Sequence, residues 1–270
     1  LIVGNETEEQ EERRREHVGD SSAETYCKTI QSLVPDAPCD IYSPISPRGR
    51  TITLGDYAGV FLTGSPISLD EEDDKARRLI DFMRSVYGAQ VPSFGSCAGL
   101  QLAVVAAGGR LQSRDVHKEA GIARNIFATP EGGQHPMLAG RPPVWDALAL
   151  HSDDVAELPE NSVLLASSGN TTVQAAEIRV GGAVFWGVQY HPELTVFEIG
   201  RSLEREKDDL VEEGFAANEA ELLSYTRRLA SLGENGDQPN LAWQLGVSDA
   251  ILEPEKRLTE IRNFLRFISA

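Results

Sequence analysis

Residues 91–109, VPSFGSCAGLQLAVVAAGG, decide how the rest of the chain is read. An apolar, strand-like run over 91–94 meets Gly95-Ser96-Cys97-Ala98-Gly99, and a helix-like run then ends at the paired Gly108 and Gly109. A strand that turns sharply into a helix brings two backbones together, and residues without Cβ suit that contact. Gly95 and Gly99 meet the need on either side of Cys97. The spacing predicts a nucleophile elbow, with Cys97 at a helix N-terminus. There the unpaired N–H groups and the macrodipole favour the thiolate, the reactive form of cysteine. An inert, buried cysteine beside two ordinary glycines is the alternative that this segment alone leaves open.

Upstream, residues 59–62 form an apolar strand that runs into Thr63-Gly64-Ser65-Pro66. Residues 71–87 carry Ala76, Leu79, Ile80, Met83 and Val86 at helical spacing, directly before the elbow. Residues 1–3 and 40–43 are strand-like, and 21–33 read as a helix capped by Asp20 or Ser21 and closed before Pro35. Pro44, Pro47 and Gly49 make the next connection a loop. Alternating strands and helices imply a doubly wound, largely parallel sheet. The charged run over 6–16 reads as surface, either a solvated loop or the exposed start of a helix.

Downstream the texture changes to strands at 122–128, 144–150, 163–167, 173–180 and 183–190. Gly181-Gly182 is a hairpin signal, so part of the sheet is expected to be antiparallel. The last of these strands delivers His191-Pro192-Glu193. From 195 onward only helices are expected: 198–213, 217–232, a linker at 233–239, and a helix opened by Pro254 with Leu258, Ile261, Leu265 and Ile268 on one face.

Of the 270 residues, 41% are hydrophobic and 25% charged, which is ordinary for a soluble globular protein. A net charge of -17 argues against nucleic acid and anionic membrane surfaces as partners. Cys27, Cys39 and Cys97 are too few for a disulfide framework. No apolar run approaches the roughly 18 residues of a membrane span, so a reducing, cytoplasmic setting is expected. His17, His117 and His135 have no companions in sequence and read as surface or structural residues. Trp145, Trp186 and Trp243 read as core or interface residues.

Cys97, His191 and Glu193 make chemical sense together, because a thiol needs a base and an imidazole needs a carboxylate to fix its tautomer. In the order TGSP (63–66), GSCAGLQ (95–101) and HPE (191–193), the motifs resemble those of class I (triad) glutamine amidotransferases, of a stand-alone type similar to the amidotransferase of GMP synthase. The resemblance covers residues 1–195. It implies a flavodoxin-like, three-layer α/β domain over 1–195, with a mostly parallel central sheet and antiparallel additions. A C-terminal helical extension over 196–270 is expected to pack on this domain or on a partner.

The resemblance also implies roles. Cys97 attacks the side-chain amide of glutamine to give a γ-glutamyl thioester and ammonia, His191 moves the protons, and Glu193 orients it. The N–H groups of Gly64 and Ala98 form the oxyanion hole. Gln101, with Ser152 and Asp153 of the His151-Ser152-Asp153 segment, holds the substrate's α-amino and carboxylate groups. No cofactor and no metal are expected; a metal cluster of His151, Asp153 and Asp154 with His191 and Glu193 is the alternative reading of the same residues. The expected partners are glutamine or another γ-glutamyl amide, and a synthase, an acceptor enzyme or a second copy of the chain.

One departure matters. Several members of the family carry a bulky residue directly after the nucleophile, whereas this chain has Ala98. The small side chain leaves room beside the thioester carbon and motivates a second reading, a γ-glutamyl hydrolase acting on amides of larger amines. A non-catalytic binding or regulatory subunit that keeps the fold is a third.

Overall fold

The computed structural model describes residues 1–47, 50–69, 72–114, 117–235 and 238–270. Its first half runs β1 (Ile2–Val3), α1 (Glu8–Val18), α2 (Ser22–Leu33), β2 (Ile41–Tyr42), β3 (Val60–Leu62), α3 (Asp74–Gly88), β4 (Ser93–Ser96) and α4 (Ala98–Ala106). Seven strands follow: β5 (Arg110–Ser113), β6 (Glu119–Ala128), β7 (Val144–His151), β8 (Asp153–Glu157), β9 (Ser162–Ser167), β10 (Ala175–Val180) and β11 (Ala183–Val188). The remainder is helical: α5 (Val196–Arg205), α6 (Lys207–Glu212), α7 (Glu219–Asn235), α8 (Pro239–Leu245), α9 (Asp249–Leu252), α10 (Pro254–Arg257) and α11 (Thr259–Ile268).

Nine strands form one sheet in the order β2-β1-β3-β4-β11-β10-β9-β6-β7. The pairings from β2 to β11 are parallel, and those from β11 to β7 antiparallel. The alternation of side chains along each strand sorts the core into two faces. Ile2, Phe61, Phe94 and Trp186 meet Tyr26 and Ile30 of α2 and Ile261 and Phe264 of α11. Val3, Val60, Leu62 and Phe185 point the other way, against Leu79, Met83 and Val86 of α3 and Leu100 and Val104 of α4. The result is the expected three-layer α/β arrangement with a parallel core and antiparallel additions. A third cluster joins Leu148 of β7 to Ile199, Leu203, Leu222 and Leu229 of α5 and α7. Thus α11 covers the central sheet, while α5 and α7 pack on its antiparallel edge.

Several elements differ from expectation. Of the two readings of the charged run over 6–16 the helix holds: it forms the largely exposed α1, capped reciprocally by Thr7 and Gln10 and closed by Gly19 at φ 104°, and, unlike plain surface, it buries Arg14. β5 and β8 pair in a small separate sheet; their sequences, RLQS and DDVAE, are too polar to stand out as strands. The linker placed at 233–239 gives way to α7 as far as Asn235, with 236 and 237 outside the described residues. Gly233 sits within that helix because it packs directly on the backbone of Phe197, where a Cβ has no space. The final helix is broken at Leu258 into α10 and α11. Trp243 is 84% exposed, not core. The loop position Gly49 and the helix start at 71 lie outside the described residues. Among the described residues no helix is long and apolar enough to cross a membrane.

Candidate active site

The site lies at the C-terminal edge of the parallel strands, where open α/β sheets expose backbone to ligands. β4 ends at Ser96, and Cys97 follows at φ 52° and ψ -114°, a left-handed conformation that costs a non-glycine residue strain. The surrounding contacts impose it. A Cβ on Gly95 would fall 2.7 Å from the Gly99 carbonyl carbon, and one on Gly99 would collide with the Leu62 carbonyl oxygen. The Cys97 N–H is tied to the Val188 carbonyl at 2.8 Å, so the nucleophile candidate is anchored to the neighbouring strand β11.

That strand carries the partners. Beyond its end, His191 Nδ1 lies 2.7 Å from Glu193 Oε1. The imidazole lies close enough to Cys97 for each to shift the other's pKa, and the thiol donates to the Leu150 carbonyl at 3.6 Å. Gly64, at the end of β3, closes the opposite wall: a Cβ there would meet His191 Cε1 at 2.9 Å and Cys97 Cβ at 3.9 Å. The Ala98 N–H points at the sulfur. The residues picked from three distant motifs therefore converge. Burial pushes the Cys97 thiol up, but the neighbouring His191, the His151 charge and the Ala98 N–H outweigh it and leave the thiol below its ordinary value. Burial lowers His191, while the Glu193 carboxylate and Cys97 raise it, to about 10. Each group thus favours the charged form of the other.

Two members of the site were not visible in the sequence. Ser96 Oγ donates to Glu193 Oε1 at 3.0 Å, and the Tyr26 hydroxyl, 2.5 Å from Ser96 Oγ, donates to it in turn. All three residues are buried. The triad is thus extended by a chain of hydroxyls, Tyr26 to Ser96 to Glu193, which holds the carboxylate toward His191. The signal for Ser96 was its place immediately before the nucleophile; Tyr26, on α2, gave none.

Gln101, Ser152 and Asp153 line the same cavity. Gln101 Nε2 donates to the Asp153 carbonyl at 2.8 Å, which ties the first turn of α4 to the start of β8. His151 has a different environment from a metal ligand. Its Nε2 meets Glu119 Oε2 at 2.9 Å, and its Nδ1 meets the Asp153 carbonyl at 3.1 Å and Asp154 Oδ1 at 3.3 Å. Burial lowers its pKa, but the hydrogen bonds to Asp154 and Glu119 raise it to about 9, so both ring nitrogens carry protons and no lone pair remains for a metal. Among the described residues no group of acidic, His or Cys side chains is arranged to hold a metal ion. His135 does have a companion, Glu177 Oε2 at 3.0 Å.

The cavity around these residues has a volume of about 630 Å³. It extends past Cys97 to Gln10, Arg13 and Arg14 of α1, and to Arg205 and Asp209 near the junction of α5 and α6.

Residues 29–207 match the family described as glutamine amidotransferase class-I. The chain is similar to a γ-glutamyl-L-1-hydroxyisopropylamide hydrolase of a Pseudomonas species, 33% identical over 98% of this chain and 91% of that protein. It is also 34% identical to a glutamine-hydrolysing GMP synthase of Leifsonia xyli over 61% of this chain, but that match spans only 32% of the synthase. A glutamine amidotransferase structure from Thermotoga maritima superposes with a TM-score of 0.67 at 17% identity, over 100% of this chain and 98% of that one, a likeness of fold. The chain belongs to the class I glutamine amidotransferase family and is a hydrolase of that family.

Proposed function

We infer that the chain hydrolyses a γ-glutamyl amide whose leaving amine is larger than ammonia, and that Cys97, His191 and Glu193 carry out the reaction. The Cys97 thiolate attacks the γ-carbonyl carbon. The resulting oxyanion sits between the N–H groups of Gly64 and Ala98, where each donor is worth on the order of a hundredfold in rate. His191 gives its proton to the amine nitrogen as the C–N bond breaks, leaving a γ-glutamyl thioester and a free amine. His191 then takes a proton from water, which attacks the thioester and releases glutamate. Gln101, Ser152 and Asp153 hold the α-amino and carboxylate groups of the glutamyl half.

The observation that carries this reading is the cavity. Its volume of about 630 Å³ falls in the range, roughly 300–1,000 Å³, of sites that enclose drug-sized ligands, and glutamine is smaller than those. A relative that aligns over 98% of this chain and 91% of its own length is named for an amide of a substituted amine. The test compares kcat/KM for glutamine and for γ-glutamyl amides of short-chain amines. The amides are expected to be better by roughly tenfold or more, as each filled methylene space adds binding; faster turnover of glutamine would sink the reading and restore glutamine as the substrate.

The hydroxyl chain behind Glu193 gives a second expectation. Ser96→Ala removes a hydrogen bond to a charged, buried carboxylate and is expected to lower kcat roughly 10- to 100-fold with little change in KM. Ser96→Thr, which keeps the hydroxyl, restores part of the loss. Steady-state kinetics of the two variants check this, and an Ala variant with normal kcat removes Ser96 from the positioning of Glu193.

A further inference from the structure

Helix α1 presents a puzzle of stability. It has no apolar stripe, and a helix polar on every side contributes little to a core. Yet it is firmly held. Buried Arg14 donates to Thr25 Oγ1 at 3.1 Å and pairs with Glu198 Oε1 at 3.7 Å, and Arg201 Nε donates to the His17 carbonyl at 3.0 Å. These bonds fasten α1 to α2 and α5. Gln10, Arg13 and Arg14, at i, i+3 and i+4, fall on one helical face, and all three line the cavity that contains Cys97.

The cations of that cavity are not equivalent. Arg14 is paired with Glu198, Lys118 with Glu206 and Asp209, and Arg205 with Glu206. Among the described residues the Arg13 guanidinium has no protein partner, in a chain of net charge -17 that offers many carboxylates. Beside it, Gln10 spends its Oε1 on the Thr7 N–H at 2.9 Å, and its Nε2 makes no bond among the described residues. Two neighbouring donor-bearing side chains, exposed Arg13 and half-buried Gln10, thus border the cavity without a protein acceptor among the described residues. Their position is informative. Gln10 and Arg13 also border the adjoining groove with Ile67 and Ser68, just beyond Gly64 at the end of β3. Ser152 and Asp153 follow β7, on the other side of β4 in the sheet order. α1 and the Ser152–Asp153 segment therefore line the same cavity from different elements, α1 beside the loop after β3 and Asp153 against Gln101 of α4.

Resting on the γ-glutamyl amide reading above, the geometry points to α1 as the leaving-group subsite: Arg13 and Gln10 bind a hydrogen-bond-accepting oxygen, carboxylate or hydroxyl, on a short-chain amine. The chemistry at the γ-carbonyl is unchanged, with the C–N bond exchanged for C–S and the His191 proton leaving on the amine. α1 supplies selectivity, and it accounts for a helix that buries almost nothing apolar.

Three γ-glutamyl amides of equal chain length, ending in a carboxylate, a hydroxyl or a methyl group, test this with the full chain. The expected kcat/KM is about tenfold or more higher for at least one oxygen-bearing amide than for the methyl one. A carboxylate ahead of the hydroxyl identifies an amino acid as the leaving amine, and the reverse order an amino alcohol. In Arg13→Met the preference falls to within about twofold, and Arg13→Lys, which keeps a donor and the charge, retains part of it. Equal turnover of the three amides, or a preference that survives Arg13→Met, overturns the subsite alone. Turnover of glutamine with none of the three overturns the reading of the leaving group and the subsite with it.

Discussion

Cys97→Ala is expected to lower hydrolysis of γ-glutamyl amides by roughly 10⁴- to 10⁶-fold in kcat while leaving the fold intact, the scale seen when a covalent nucleophile is removed from a preorganised triad. The size of the effect follows from the way the residue is held. A left-handed backbone at φ 52°, a glycine on each side and the bond from its N–H to Val188 at 2.8 Å fix the sulfur against His191. Among the described residues that line the cavity, Cys97 carries the one thiol. Alanine keeps the backbone and removes the sulfur, so folding and catalysis separate cleanly. The measurement is amine release under saturating amide, with circular dichroism to check the fold; a variant within about tenfold of wild type would remove Cys97 from the chemistry.

The coupling of Cys97 and His191 shapes the expected pH dependence of the wild type. The thiol lies below its ordinary value, because the His191 charge outweighs the opposing effect of burial. His191 loses its proton only at about 10, against burial and in favour of Glu193 and Cys97. In a pH profile of kcat, activity is therefore expected to fall as the pH passes about 10, where the proton needed by the leaving amine is lost.

What could be read in the sequence was what local constraints enforce. The elbow announces itself because two glycines must flank a side chain at a strand-to-helix turn, and the β10–β11 hairpin because Gly181-Gly182 allows a two-residue turn between Val180 and Ala183. Triad members at the ends of adjacent strands inherit their proximity from the sheet. The hydroxyl chain was hidden because Tyr26 reaches Ser96 across 70 residues, and Ser96 reaches Glu193 across 97. No periodicity records such contacts. α1 was legible only as a charged surface run, loop or helix, for a different reason. Its stability comes from a capping box and ion pairs, which leave no hydrophobic period, so a run that reads as surface becomes a wall of the cavity. The C-terminal helices were legible as helices, but their destinations were not, since an amphipathic face does not say which surface it covers.

Glu260 shows how much that destination matters, and Glu260→Ala is expected to destabilise the protein by about 3–5 kcal/mol. The carboxylate comes from α11, near the end of the chain, and is fully buried. It receives Arg141 Nε at 2.6 Å and Nη2 at 2.7 Å, and the Tyr190 hydroxyl at 2.9 Å. The Arg141 side chain is itself only 3% exposed, stacked over Trp145, with one more bond to the Arg257 carbonyl at 3.1 Å. Removing Glu260 strands a guanidinium that cannot lose its proton and has no water to turn to, which is why deleting one partner costs far more than the pair contributes. Replacing both, as Arg141→Met with Glu260→Leu, is expected to recover most of the loss. Tyr190 directly precedes His191, so the pair also braces the segment that carries the candidate base. Urea unfolding followed by tryptophan fluorescence checks the expectation, because Trp145 and Trp186 sit in the same core cluster as Ile261 and Phe264 of α11. A single cooperative transition that shifts to lower urea in Glu260→Ala would show α11 and the sheet unfolding as one unit. An unshifted main transition, with α11 lost separately, would show instead that the helix is an appendage on an independently stable domain.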